Sequence, residues 1–191
     1  MTLWDQKAVL YHRFRTLPFI RSILKKELGN LETILQDKQI KPALIVDLGT
    51  GNGTHLSVFT KQIPVVGVDR SLKMLQQAGK RHPEILCVVA DTNRLPFHGR
   101  FCDFALAVGL LEYMRDKETW LAEAERILCS GGYLLMTFSP PGMFTSFRNL
   151  LGHAVYPLSL EDFRKMIAKQ GLALVQWKQS WLQIQCLLHK N

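Results

Sequence analysis

Short apolar runs of strand length alternate along this chain with segments in which apolar residues have helical spacing. The runs predict five strands, the first of them buried, which start at Ala43, Val65, Ile85, Phe101 and Tyr133. Helices are predicted over residues 54–62, after the N-cap Ser71, and over 116–128 up to the pair Gly131-Gly132. Five strands that alternate with helices in this way indicate a parallel sheet with helices on both faces.

The N-terminal part of the chain has a helical pattern instead. It covers residues 3–36 and is predicted to break near Leu17-Pro18 and near Gly29-Asn30, because proline and glycine disfavour helix interiors. This part therefore predicts two helices in front of the first strand.

The C-terminal part predicts one further helix and a hairpin. Residues 143–157 have weak periodicity, whereas 159–170 carry the signals of a helix with Ser159 as its N-cap. The apolar runs 172–177 and 181–188 follow, and their short connection favours an antiparallel hairpin. The predicted fold class is α/β, a three-layer α/β/α sandwich. Its Rossmann-like sheet has seven strands and is mostly parallel, with an antiparallel last strand.

Composition narrows the class of protein without naming it. With 191 residues, 47% hydrophobic and 21% charged, the chain is ordinary globular protein that can bury a core as one domain. No apolar run reaches the ~18 residues of a membrane span, and we see no signal peptide. The four cysteines are scattered singly, so we expect no metal site and free, buried thiols in a reducing compartment, the cytoplasm.

The net charge of +8 raises the question of a nucleic-acid partner. The basic residues are spread along the chain, and the densest group lies between Arg13 and Lys26. A solvated helix face explains that group better than a phosphate-binding surface. A nucleic-acid partner is therefore possible but not favoured.

Three glycines at alternate positions, Gly49, Gly51 and Gly53, follow the first strand. Because glycine has no Cβ, a ligand can approach the backbone of such a loop closely. The dinucleotide fingerprint G-x-G-x-x-G requires glycine at position 54, where this chain has Thr54. Asp47 precedes the loop, and a carboxylate there disfavours a pyrophosphate but suits a cation. The loop is therefore predicted to bind an amino-acid-like or sulfonium-bearing nucleoside rather than NAD.

Acidic residues end the first three predicted strands at intervals of 22 residues: Asp47, Asp69 and Asp91. The carboxyl ends of parallel strands meet at one edge of a sheet, so these side chains are expected to line one rim. Asp69 can accept hydrogen bonds from both hydroxyls of a ribose, and Asp91 can accept from the amine of adenine. Thr92 offers a backbone N–H to a ring nitrogen, and Arg70 can lie along the adenine face.

Five motifs occur in order: Asp47-Leu-Gly-Thr-Gly-Asn-Gly53, Val66-Gly-Val-Asp69, Ala90-Asp91-Thr-Asn-Arg-Leu-Pro-Phe97, the stretch from Phe101 to Tyr113, and Glu125-Arg-Ile-Leu-Cys-Ser-Gly-Gly132. Each motif alone is weak, but the ordered set is specific. It resembles the class I S-adenosylmethionine-dependent methyltransferases of methyltransferase type 11, which include the ubiquinone and menaquinone biosynthesis methyltransferases. The resemblance covers roughly residues 43–139.

The resemblance implies S-adenosyl-L-methionine as cofactor and S-adenosyl-L-homocysteine as product. It places Asp47 near the cofactor ammonium, Asp69 at the ribose and Asp91 at the adenine amine. Positions that hold the methionine end and the sulfonium are implied at Gly49, Thr50, Gly51, Gly53, Val108 and Gly109. The chain is then one methyltransferase domain, 1–191. It consists of a helical lid (1–40), a cofactor-binding core (41–139) and a substrate-side segment with the C-terminal hairpin (140–191).

The catalytic residue is less evident than the cofactor site. Many relatives have paired histidines after the fourth strand, where this chain has Glu112-Tyr113. A base is needed only if the acceptor must lose a proton. The candidates are Tyr11, Glu112 and Tyr113, with His153 a weaker one. His55, beside the glycine loop, is interpreted as a helix-start residue.

The acceptor pocket is expected from both ends of the chain, with Trp4, Phe14, Phe19, Met143, Phe144, Phe147 and Tyr156. These aromatic residues suit an apolar or planar acceptor, and ordinary core packing explains them equally well. Arg148 is a candidate to receive a carboxylate or phosphate of the acceptor. The predicted function is methyl transfer to a small molecule by a monomer or homodimer. The alternatives are a cofactor-binding module without activity and an RNA methyltransferase; an NAD-dependent dehydrogenase is disfavoured.

Overall fold

One seven-stranded sheet organises the computed structural model, which describes residues 27–34, 40–59, 63–150, 154–180 and 182–191, with backbone only at 144 and 147. The strands are β1 (Ile45–Leu48), β2 (Val65–Asp69), β3 (Leu86–Val89), β4 (Cys102–Ala107), β5 (Leu128–Phe138), β6 (Leu172–Gln179) and β7 (Ile184–Lys190). Their order is β3-β2-β1-β4-β5-β7-β6. Strands β1 to β5 pair in parallel, and β7 is antiparallel to both β5 and β6. The predicted mostly parallel sheet with an antiparallel last strand is confirmed.

Helices cover both faces of this sheet. They are α1 (27–34), α2 (Leu72–Arg81), α3 (Lys117–Ile127), α4 (Met143–Leu150) and α5 (Leu160–Ala168), with 3-10 turns at Thr54–Val58 and Leu111–Tyr113. Neighbouring residues of β1 point to opposite faces. Ile45 packs in a cluster with residues of α1 and α2, and Val46 packs in a second cluster with residues of α3 and α5. The two clusters form the two cores of a three-layer sandwich.

Local capping was predictable from sequence. The Ser71 hydroxyl accepts a hydrogen bond from the Met74 N–H at the start of α2, and the Ser159 hydroxyl accepts from the Asp162 N–H at the start of α5. Both predicted N-caps are confirmed. A side chain at this position satisfies one of the N–H groups that have no partner inside the helix.

Three local predictions are wrong, and one helix was not predicted. Residues 27–34 are helical through Gly29-Asn30, because the fully buried Leu31 and Ile34 outweigh the ~1 kcal/mol that glycine costs in a helix. The described residues after the glycine loop form a 3-10 turn rather than an α-helix. Strand β5 begins directly after α3, so the Gly131-Gly132 pair lies within the strand. Helix α4 was missed because its periodicity is weak.

Strand β3 was predicted as a strand, and its exposure is a finding of the structure. It lies at the edge of the sheet, where Leu86 is 64% and Val89 is 55% exposed. Its thiol, Cys87, is exposed too, which corrects the expectation that the cysteines are buried, although Cys102 and Cys186 are buried as expected. Periodicity reports the residue types of a strand and not its place in the sheet, so an edge strand is not recognisable in this way. In the described part of the chain, no helix is both long and apolar enough to cross a membrane.

Candidate functional site

A cavity of about 480 Å³ lies beyond the carboxyl ends of the first four strands. It is bordered by Gly49, Thr50, Gly51, Asn52, His55, Asp69, Arg70, Met74, Ala90, Asp91, Thr92, Asn93, Val108, Gly109, Leu110, Tyr113, Met114, Arg115, Asp116 and Thr119. The strand order reverses between β1 and β4: β2 and β3 lie on one side of β1, and β4 lies on its other side. Open α/β sheets bind ligands at such a switch point. The volume is in the ~300–1,000 Å³ range of small-molecule sites.

The glycine loop forms one wall of this cavity. Gly49, Gly51 and Gly53 have φ angles of 72°, 55° and 70°, a region that favours glycine. The N–H groups of Gly49 and Thr50 both donate to the Val68 carbonyl, at 2.8 and 3.0 Å, and so fasten the loop to β2. The loop is thereby held in a fixed shape at the end of β1.

Gly53 has a different role from the other two glycines. A Cβ at this position would lie 3.2 Å from the Ala78 Cβ and 3.2 Å from the His82 Cδ2, both next to α2. Gly53 does not border the cavity. Gly53 therefore serves close packing of the loop against α2. Gly49 and Gly51 border the cavity, and a Cβ at Gly49 would lie 2.7 Å from the Leu110 Cδ1.

Asp69 connects the end of β2 to the glycine loop. Its Oδ2 accepts a hydrogen bond of 2.9 Å from the Gly51 N–H, and its Oδ1 accepts one of 2.8 Å from the Ser71 N–H. Burial raises the pKa of this carboxyl, and the two backbone hydrogen bonds oppose that effect without cancelling it. Arg70 follows it and also borders the cavity. Asp69 thus holds the loop and faces the cavity with the same carboxylate.

The turn after β3 forms the opposite wall. The Oδ1 of Asp91 accepts hydrogen bonds of 2.9 Å from both the backbone N–H and the side-chain amide of Asn93. Asp91, Thr92 and Asn93 all border the cavity, and Thr92 is buried. The turn therefore presents an exposed carboxylate and two short polar side chains to the same space.

The end of β4 supplies the floor between these walls. Val108 and Gly109 border the cavity, and Gly109 has a φ of 67°. Its N–H donates a hydrogen bond of 2.8 Å to the Thr137 hydroxyl on β5. That N–H is therefore engaged within the protein and is not available to a ligand.

Asp47 does not border the cavity, because it is fully buried behind His55. The His55 Nε2 lies 3.0 Å from each carboxylate oxygen of Asp47, and the imidazole itself borders the cavity. His55 does start the 3-10 turn, as interpreted from sequence, but its position in the site was missed. The signal was a histidine two residues beyond the last glycine of a loop that folds back over the strand end.

Glu112 and Tyr113 follow β4 and meet Arg148 of α4. Two nitrogens of the Arg148 guanidinium lie 3.3 and 3.4 Å from the Glu112 Oε1, and its Nη2 donates a hydrogen bond of 2.6 Å to the Tyr113 hydroxyl oxygen. Arg148 also donates to the Ser139 hydroxyl at 2.8 Å. Glu112 is buried and away from the cavity, whereas Tyr113 borders it. Arg148 is therefore engaged by internal partners rather than offered to an acceptor.

Of the other residues predicted to line the acceptor pocket, the structure describes the side chains of Met143 and Tyr156. Met143 is 90% exposed and does not border the cavity. Tyr156 accepts a hydrogen bond of 3.0 Å from the Nε of Arg115, a residue at the cavity border that the sequence did not single out. Outside the described residues or side chains lie Tyr11, His153, Trp4, Phe14, Phe19, Phe144 and Phe147.

Comparison with known proteins agrees with this architecture. Residues 46–136 match the methyltransferase domain family. The chain is 30% identical over 146 residues to the demethylmenaquinone methyltransferase of Thermotoga maritima, a match that covers 74% of this chain and 62% of that protein. It is 30% identical over 150 residues to the malonyl-[acyl-carrier protein] O-methyltransferase of Legionella pneumophila, with 75% and 53% covered. The chain thus spans less than two thirds of the length of these curated relatives.

Solved structures share the fold over nearly the whole chain. The magnesium protoporphyrin IX methyltransferase of Synechocystis, with bound S-adenosylhomocysteine (SAH), has a TM-score of 0.79 and 14% identity, over 98% of this chain and 97% of that one. A possible histamine N-methyltransferase of Thermotoga maritima has a TM-score of 0.75 and 19% identity, with the same coverage. Together with the family match and the rim of glycines and acids, these comparisons lead to one conclusion: residues 46–136 are a methyltransferase domain of the class I S-adenosylmethionine-dependent type.

Proposed function

We propose that this protein transfers the methyl group of S-adenosylmethionine to a small-molecule acceptor in the cavity at the carboxyl ends of β1 to β4. The observation that carries the proposal is the meeting of three separate strand ends around one space. Gly49 to Gly51, Asp69 and Asp91 belong to different strands and border the same cavity of about 480 Å³. An elongated ligand with an amino-acid end, a ribose and a base requires this distribution of polar groups.

The ribose end fits the residues around Asp69. Each oxygen of this carboxylate accepts one backbone hydrogen bond, from Gly51 or Ser71, and each has a second lone pair that can accept from a ribose hydroxyl. On the neighbouring turn, Asp91 is exposed to the cavity and is proposed to accept from the adenine amine. Thr92 and Arg70 are proposed to contact the adenine ring.

The methionine end fits the glycine loop. Among the described residues, a Cβ at Gly51 would have only the Gly49 carbonyl oxygen within 4 Å, at 3.9 Å, so the position opens onto space that a ligand can fill. We propose that the backbone of Gly49, Thr50 and Gly51 contacts this end. Gly53 shapes the loop from behind.

The bound cofactor supplies an activated methyl group on a sulfonium, so the protein needs chiefly to position the acceptor in line and exclude water. We propose that the carbonyl oxygens at Val108 and Gly109 face the sulfonium, since partial negative charge suits a cation. Beyond them, Leu110, Tyr113 and Met114 border the cavity and are proposed to contact the acceptor. Of the candidate bases that the structure describes, Glu112 pairs with Arg148 and does not border the cavity. Tyr113 does border it and is therefore proposed as the proton acceptor.

A small-molecule acceptor is supported by the relatives, whose names refer to acceptors as different as demethylmenaquinone and malonyl-[acyl-carrier protein]. Isothermal titration with S-adenosylmethionine and SAH tests the cofactor half of the proposal. We expect micromolar binding that is lost when Asp69→Ala and Asp91→Ala are combined. The absence of binding at ~1 mM, or undiminished binding by the double variant, contradicts the proposal.

The transfer half is tested with labelled cofactor and a cellular metabolite extract. Transfer of the label to a small molecule excludes a binding module without activity. Transfer to RNA, with a steep dependence of RNA binding on salt, identifies an RNA methyltransferase instead.

A further inference from the structure

The carboxylate of Asp47 is separated from the cavity by an imidazole. Asp47 has no exposed surface, whereas the side chain of His55 is 8% exposed and borders the cavity. A cofactor in the cavity therefore reaches the imidazole of His55 before it reaches the carboxylate. The residue that meets the amino-acid end of the cofactor has to be sought on the 3-10 turn that follows the glycine loop.

The contacts of His55 fix which ring nitrogen carries the proton. A carboxylate can only accept, so the Nε2 that lies 3.0 Å from both oxygens of Asp47 is the N–H donor. The other nitrogen, Nδ1, makes no hydrogen bond to any described residue. In a neutral imidazole it is an acceptor with a free lone pair.

The place of the ring agrees with a role at the methionine end. His55 lies beside Gly49, Gly51 and Asn52 at the cavity border. The side-chain oxygen of Asn52 is occupied, because it accepts from the hydroxyl of Thr54 at 2.7 Å and from the Thr54 N–H at 3.3 Å. His55 is therefore the better placed acceptor on this side of the loop.

We propose that His55 is a cofactor-positioning residue, whose Nδ1 accepts a hydrogen bond from the ammonium of the methionine end while Asp47 holds its Nε2–H. The inference rests on the proposed function, since it assumes that the cofactor occupies this cavity. The carboxylate of Asp47 behind the ring complements the positive ammonium in front of it. Through His55, the buried carboxylate of Asp47 thus favours binding of a positively charged group in the cavity.

A purely structural role makes a different prediction. If the pair only fastens the loop, the loss of His55 weakens all adenosine ligands alike. If His55 binds the ammonium, only ligands that carry the amino group are affected. His82 provides a matched control, because it is also buried and its Nε2 lies 2.9 Å from the Gly53 carbonyl oxygen, yet it does not border the cavity.

The experiment is isothermal titration of the full chain with three ligands: SAH, decarboxylated SAH, which keeps the amino group, and 5′-methylthioadenosine, which has no amino-acid end. For His55→Ala we expect the affinity for the first two to fall about tenfold or more, and that for 5′-methylthioadenosine to change less than about twofold. For His82→Ala we expect the same factor for all three ligands.

Equal weakening of the three ligands by His55→Ala, or no weakening, overturns the proposal. If the wild-type protein fails to bind SAH, the proposed function fails instead, so the two failures are distinguishable. Should His55→Ala not fold, the 15N resonances of the wild-type imidazoles give the answer. The Nδ1 resonance of His55 is expected to shift with SAH and with decarboxylated SAH but not with 5′-methylthioadenosine, and an identical response to all three contradicts the inference.

Discussion

Arg148 on α4 donates a hydrogen bond of 2.6 Å to the phenolic oxygen of Tyr113, which borders the cavity. The guanidinium also lies 5.6 Å from the centre of the Tyr113 ring. Behind it, the same guanidinium pairs with the Glu112 carboxylate, whose Oε2 is buried without a partner among the described residues. The position of a side chain at the acceptor end of the site therefore depends on an ion pair that joins α4 to the turn after β4.

Replacement of Arg148 is expected to destabilise the fold. Arg148→Met leaves the Glu112 carboxylate buried without its cation, which costs about 3–5 kcal/mol. We expect a fall in Tm of roughly 10 °C in a thermal unfolding experiment. The control is Lys169→Met, which removes an exposed ion pair with Glu118 and should leave Tm unchanged.

The double variant Arg148→Met/Glu112→Gln separates the lost cation from the lost packing. Because it also removes the buried charge, it is expected to recover part of the Tm that Arg148→Met loses. If Arg148→Met is as stable as the Lys169→Met control, the ion pair does not hold α4 in place.

Two glycines with positive φ angles allow ligand contact to be separated from backbone strain. Gly51 has a φ of 55° and borders the cavity, whereas Gly131 has a φ of 77° and lies in β5 away from it. Alanine at either position incurs about 1–2 kcal/mol of strain, and neither new Cβ meets an atom of the described residues closer than 3.9 Å. We expect similar losses of stability, but only Gly51→Ala weakens SAH binding, by more than about tenfold. Equal SAH affinities of the two variants would show that the ligand does not approach Gly51.

Gly67 of β2 limits the space behind the glycine loop. A Cβ there would lie 2.9 Å from the Oγ1 of Thr50, and this hydroxyl is held by a hydrogen bond of 2.9 Å to the Asp47 carbonyl. Gly67→Ala is therefore expected to cost about 1–3 kcal/mol in urea unfolding. It should also weaken SAH binding severalfold, because Thr50 has to move. Gly142→Ala, where a Cβ meets no atom of the part of the chain that the structure describes within 4 Å, is the control for both measurements.

The stability contributed by Asp69 is expected to depend on pH in an unusual direction for a carboxyl group. Burial raises its pKa above the ordinary value of 3.8, so the native state retains a proton that the unfolded state has lost. The stabilisation is complete below 3.8 and is lost as the pH rises through the native pKa. The free energy of unfolding of the wild-type protein relative to Asp69→Asn should therefore fall as the pH rises from about 4 to 7.

This pH dependence is measured by urea unfolding without ligand, with Glu161→Gln, an exposed carboxyl on α5, as the control. SAH binding should respond in the opposite sense, because the ionised carboxylate is the better acceptor for ribose hydroxyls. A wild-type advantage over Asp69→Asn that grows with pH would contradict the assignment of burial as the dominant effect.

Most of the strands, two helix N-caps and the glycine loop could be predicted from the sequence because their signals are local. The alternation of apolar runs and helical segments specified the strands, and serines before apolar periodicity specified two N-caps. The spacing of Gly49, Gly51 and Gly53, with acids at three strand ends, indicated both the place and the chemistry of the cavity. Parallel strands bring their carboxyl ends to one edge, and Asp69 and Asp91 do border the cavity there, whereas Asp47 does not.

What the tertiary structure alone decided is which partner each polar group has. Asp47 faces His55 rather than the cavity, Gly53 packs on α2, and Glu112 lies against Arg148 from 36 positions further along the chain. A buried charge must find a partner in space, and periodicity carries no information about that partner because it records only which face of its own element a residue occupies. The sequence by itself therefore determined the sheet, the glycine loop and the class of ligand. The packing of helices and loops against that sheet decided which side chains face the cavity.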